Sequence, residues 1–145
     1  MKKFDFRLES VLKVRGLHKK MAEREVAIAR AKVNKNQQEL EQTKEEFDRS
    51  FHFLAGQDAN LHFWHQLTSN YQANLKKREA ELIERREELK EKLEVEKKNL
   101  SRRMKEEKAI EKLKDYQQQV HQEEVERTFQ KEIEEIDLLK RGNKG

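Results

Sequence analysis

Stepping alternately four and three residues from Leu8 reaches Leu12, Arg15, Lys19, Ala22, Val26, Ala29, Val33, Asn36, Leu40, Thr43, Phe47, Ser50 and Leu54, and nine of these fourteen positions are apolar. A heptad stripe sustained over most of fifty residues marks a helix that buries one narrow seam against a partner helix. The second half of the chain repeats the spacing with Leu61, Trp64, Tyr71, Leu75, Leu82 and Leu89. From there the stripe moves to Leu93, Leu100 and Met104 and resumes at Ile110, Leu113 and Val120, which reads as a stutter, a local adjustment of supercoil winding.

Composition excludes the main alternatives. Charged residues make up 43% and apolar residues 34% of the 145 positions, against about 25% and roughly 45–50% in an average domain, so a single rounded core would lack material. There is no proline, the residue that interrupts long helices. Disordered chains of similar polarity are enriched in Pro, Gly and Ser and often carry high net charge; here there are four glycines and a net charge of +4.

The stretch FHFLAGQDANLHFW, residues 51 to 64, breaks the charged pattern. Gly56 suits the left-handed conformation that ends a helix, and Asp58 or Asn60 can accept a backbone N–H at the start of the next. The expected fold is therefore all-α, one long antiparallel two-helix coiled-coil hairpin over 1–145. Its arms are unequal: helix 1 over about 5–54, a turn at 55–60, and helix 2 over about 61–140. Rings from Phe47, Phe51, Phe53, Phe63, Trp64 and Tyr71 gather near the turn, either packing it or forming a docking surface, with Phe47 and Phe51 sharing a face.

At ~1.5 Å per residue the arms span roughly 75 and 120 Å. Pairing outward from the turn sets residue 5 opposite about residue 110. Beyond that, Leu113, Val120, Val125, Phe129, Ile133, Ile136 and Leu139 form an apolar stripe with no intrachain partner, which calls for one from elsewhere. Charge is sorted too. Residues 1–20 hold seven Lys/Arg against two acids and residues 97–116 hold eight against four, whereas residues 117–139 hold seven acids against two bases. The open end is basic, suited either to solvent or to an acidic partner surface.

Chemistry-bearing signals are absent. Glycines at 16, 56, 142 and 145 cannot form a phosphate-binding loop, and no nucleophile has a folded pocket to sit in. His62 and His65 stand three apart beside the turn with His52 across it, and exposed histidines are common, so they read as surface groups rather than metal ligands. The expectation is no enzyme, no cofactor and no metal. Basic residues alternate with acids along both helices, which argues against nucleic acid. No stretch approaches the ~18 consecutive apolar residues of a membrane span, and a lack of cysteine with no apolar run behind MKKFDFRLES points to the cytoplasm.

Two stretches carry a family resemblance. FDFRLESVLKVRG at 4–16 resembles the N-terminal Phe-x-Phe-x-Leu-x-x-x-Leu-x-x-Arg pattern of the FliJ family of bacterial flagella. EKAIEKLKDY at 107–116 and QKEIEEID at 130–137 resemble that family's later Lys-x-Leu-Glu-Lys-Leu-Lys-Glu and Gln-Lys-Glu-Leu-Asp-Glu-Ile segments, departing at Ile110, Asp115 and Glu134. The resemblance implies a central-stalk-like, non-enzymatic component of flagellar type III protein export. It would bind the hexameric export ATPase, contact the cytoplasmic domain of the export gate, escort export chaperones, and lie at the cytoplasmic membrane without inserting into it, the free protein being a monomer. Carried over by residue, it implies ATPase contact through Phe4, Phe6, Leu8, Leu12, Arg15, Ile110, Leu113 and Lys114. Phe47, Phe51, Phe63 and Tyr71 near the turn are the candidates for the gate. The alternatives are the stalk of a virulence type III secretion system, or a structural coiled coil that self-associates through its overhang.

Overall fold

The computed structural model describes residues 3–53 and 61–143. Two helices, α1 (Glu9–Phe53, 45 residues) and α2 (Leu61–Asn143, 83 residues), pack against each other as an all-α helical hairpin. Gly56, Asp58 and Asn60, assigned above to the turn, lie outside the described residues. The contacts fall into two compact units, Met21–Leu100 and a second made of Met1–Lys20 with Ser101–Gly145.

In the unit Met21–Leu100 the helices run antiparallel: Asn36 Nδ2 donates to Leu82 O at 3.1 Å, while Ser50, later in α1, meets Gln72, earlier in α2. The α1 face of this unit matches the heptad reading at every described position from Ala22 to Ser50, Leu54 lying outside the described residues. Ala22, Val26, Ala29, Asn36, Leu40, Thr43 and Ser50 are buried, and Val33 and Phe47 are half-buried. One heptad position holds small residues (Ala22, Ala29, Asn36, Thr43, Ser50) and the other large apolar ones (Val26, Val33, Leu40, Phe47), an alternation that lets two helices approach closely while filling the space between them. The polar members of the small set find partners. Thr43 Oγ1 donates to Glu39 O at 2.8 Å, and Ser50 Oγ donates to Phe47 O and accepts from Gln72 Nε2 at 2.9 Å.

The α2 face corrects the reading in two places. Thr68 is buried and Gln72 half-buried, while Tyr71 is exposed, so the seam near the turn is more polar than its aromatic residues suggest. Farther along, positions 75, 79, 82, 86, 89, 93, 96 and 100 are all buried or half-buried. They step by four and three without interruption, so there is no stutter. What changes is the chemistry of the two heptad positions. Leu75, Leu82 and Leu89 hold one, with Glu79 and Arg86 between them; Leu93 and Leu100 then hold the other, with Glu96 between them. Long charged side chains can line a seam because their methylene stems pack while their heads reach water.

In the unit formed by Met1–Lys20 and Ser101–Gly145, α1 begins at Glu9 and not near residue 5. Residues 3–8 are non-helical, and Phe6 is buried. Glu9 N donates to Phe6 O at 3.1 Å, which satisfies one of the amides left free at a helix start without a Ser, Thr or Asp cap, and Leu12 N donates to Leu8 O at 2.9 Å as the first bond of the helix. This segment lies along α2 as far as His121, whose ring centroid is 5.6 Å from that of Phe4. The register also differs from the expected one. Glu9 faces Lys114, so the pairing reaches farther along α2 than residue 110, and half-burial extends to Val120, His121 and Val125. The bare part of α2 begins at Glu126, from which every described residue is exposed.

Candidate partner-binding surfaces

The first candidate surface belongs to the unit containing both chain ends. Phe4, Leu8, Leu12, Arg15, Ile110 and Lys114 are half-buried, Phe6 is 5% exposed, and Leu113 is exposed. Most of these residues therefore face α2 or α1 of their own chain. Arg15 Nη1 meets Glu106 Oε2 at 3.0 Å and Lys114 Nζ meets Glu9 Oε2 at 2.9 Å. The structure brings the 4–16 and 107–116 stretches together side by side, in an intramolecular seam whose outer faces carry the exposed bases Lys13, Lys20, Lys105, Lys108 and Lys112.

That seam holds a charge network that apolar periodicity does not reveal. Glu106 accepts from both Arg15 and Arg103, Arg103 Nη1 lies 3.5 Å from His18 Nδ1, and Lys19 Nζ donates to Glu107 Oε1 at 3.1 Å. The sequence did hold a signal. Arg15 and Lys19, and Arg103 and Glu107, are each four apart, at seam positions where a coiled coil normally carries apolar residues. Glu107 Oε2 is buried with no hydrogen-bond partner, 3.7 Å from where a Cβ on Gly16 would stand. Local charge pairs on the outside of α2 form three apart, as Arg85–Glu88 at 2.9 Å and Lys97–Glu94 at 3.5 Å, and four apart, as Asp137–Arg141 at 3.4 Å.

The second candidate surface lies toward the turn, in the unit Met21–Leu100. Phe51, Phe63 and Tyr71 are exposed, whereas Phe47 and Trp64 are half-buried. Phe47 and Phe51 do share a face, their rings meeting edge-on at 5.1 Å, and Phe63 meets Trp64 edge-on as well at 5.5 Å. Lys76 Nζ sits 4.4 Å above the Phe47 ring, a cation–π contact that covers one side of it. Beside them an open apolar hollow of about 390 Å³ is lined by Arg49, Ser50, Leu67, Thr68 and Tyr71. Its floor is the polar seam pair Ser50 and Thr68; its walls are the exposed Leu67 and Tyr71. Such a hollow suits an apolar side chain of a docked protein.

Among the described residues no three His, Cys, Asp or Glu side chains stand together as a metal-binding group, and no helix is long and apolar enough to cross a membrane. Comparison with protein-family models, with curated proteins and with solved structures gives no match.

Proposed function

We propose that this protein is a non-enzymatic, central-stalk-like component of a bacterial flagellar type III export apparatus. It binds the hexameric export ATPase through the unit that holds its two ends, contacts the export gate through the aromatic surface toward the turn, and escorts export chaperones at the cytoplasmic face of the membrane. The observation that carries the reading is the pairing of the two family-like stretches. Residues 4–16 and 107–116, far apart in sequence, are joined by Glu9–Lys114, with Arg15–Glu106 and Lys19–Glu107 at the edge of the same pairing, so the segments that carry the resemblance lie side by side. Exposed Phe51, Phe63 and Tyr71 support the gate assignment, since large apolar side chains left in water are available for a partner.

The test is to titrate the full chain into purified flagellar export ATPase, following hydrolysis and binding together. Arg15 and Lys114 already hold intramolecular pairs, so the informative charge variant is Lys105→Glu with Lys112→Glu, both on the exposed face. It should slow association several-fold at low salt, with the difference shrinking as salt rises. No binding of the parent protein to either the ATPase or the gate domain overturns the assignment.

A further inference from the structure

We infer that the bare end of α2, from Glu126 onward, is a docking face for a basic amphipathic helix of another protein. The face is a continuation of a working interface. Lys114, His121 and Val125 lie on one side of α2, where Lys114 pairs with Glu9 and His121 meets Phe4. At 3.6 residues per turn that side continues through Phe129, Ile136 and Leu139, with Ile133 beside them. These four are 52%, 55%, 69% and 44% exposed, so the side of α2 that is covered up to Val125 runs on uncovered for about 27 Å, roughly five turns.

Charge selects the occupant. Glu124 and Glu135 with Lys131 border the stripe on one side, Glu126 and Asp137 with Lys140 on the other, and Glu132 lies within it, so acids outnumber bases five to two, Asp137 itself pairing with Arg141 at 3.4 Å. A second copy of the chain laid along this face would oppose acid to acid on both borders, which disfavours the pairing. An amphipathic helix whose apolar stripe is flanked by Lys or Arg matches the face in both respects, as in helix-in-groove recognition. Residues 117–139, which include most of the stripe, hold seven acids against two bases, whereas the paired parts of the same unit, 1–20 and 101–116, are basic, so such a partner is steered toward the stripe and away from its neighbours. This goes beyond the export assignment and stands without it.

The experiment uses three synthetic peptides of about twenty residues, binding to the full-length protein by fluorescence anisotropy. One has a Leu/Ile stripe with Lys/Arg flanks, one the same stripe with Glu flanks, and one Lys/Arg flanks with a Ser stripe. The first should bind at least tenfold more tightly than the other two. Phe129→Ser with Ile136→Ser should remove that advantage, and Glu124→Lys with Glu126→Lys and Glu135→Lys should transfer it to the Glu-flanked peptide. Circular dichroism of the variants must keep the parent's helicity; if the serine variant loses helicity, the charge-reversal variant alone decides. Equal binding of the first and third peptides would mean charge attraction only and overturn the proposal. Concentration-dependent dimerisation in sedimentation, abolished by the serine variant, would overturn it in favour of a second copy.

Discussion

Asn36 and Gly16 each put an unusual residue inside a helix that would otherwise be regular. Asn36 is buried with its Nδ2 on Leu82 O, and its Oδ1 is buried with no partner. Leu82 O belongs to a helix and keeps its own backbone bond without the amide. Asn36→Ala, which keeps this heptad position small, therefore removes an unsatisfied acceptor and gains helix propensity, and should stabilise by about 1 kcal/mol. Urea unfolding would show a higher midpoint with an unchanged slope, and a lower midpoint would mean that the oxygen is satisfied in solution. Gly16 leaves room for a Cβ at ordinary contact distance from Glu107 Oε2. Gly16→Ala should raise the thermal midpoint through a helix-propensity gain of about 0.5–1 kcal/mol; a drop would show that Glu107 needs the space. Leu40, 1% exposed at the centre of the seam, should cost about 2–5 kcal/mol as Leu40→Ala.

At the scale of the element, the two helices differ in how plainly they announce their buried faces. All positions of α1 named from the stripe between Ala22 and Ser50 are buried or half-buried because that face is apolar or small throughout. On α2, Tyr71 and Met104 were expected in the seam and stand exposed, while Gln72 and Arg103 occupy the places beside them. Periodicity of hydrophobic residues cannot locate a face on which every second position is Glu, Arg or Lys; only the strict step of four and three, followed without regard to residue type, recovers it. The same limit applies to the candidate surface at the chain ends, where the residues were legible as a group but their inward orientation and their charge partners were not. Those partners differ in value. Lys19 and Glu107 are 29% and 12% exposed at the side chain, and Glu107 has no other bond to offset burial. Lys19→Met should cost about 1–3 kcal/mol, whereas Lys114→Met, losing a more exposed pair with Glu9, should cost about 0–1 kcal/mol and less in high salt. Chemical denaturation of the two variants at two salt concentrations measures both, and equal costs would show that Glu107 is hydrated.

For the whole molecule the decisive property is that one chain supplies both helices of its seam. The sequence contains no cysteine, so Ser50→Cys with Gln72→Cys, placed where the two side chains now share a hydrogen bond, gives a clean site for a short bis-maleimide. In dilute solution the product should run as a monomer, and linkage only between chains would refute the hairpin. A seam of this kind must also resist sliding by one heptad, and Asn36 cannot provide that resistance, because a backbone carbonyl waits at every turn of the opposite helix. The change in α2 between Leu89 and Leu93 can. There the leucines pass from one heptad position to the other, while along α1 the large seam residues grow from Val26 and Val33 through Leu40 to Phe47. A displacement of seven residues restores the period but carries this single mark away from the volumes it was matched to, like a vernier whose zero no longer meets its line. The alignment of the two helices is thus held by the place where the leucines change heptad position, and a variant that kept them on one position throughout would loosen it while making the seam look more regular.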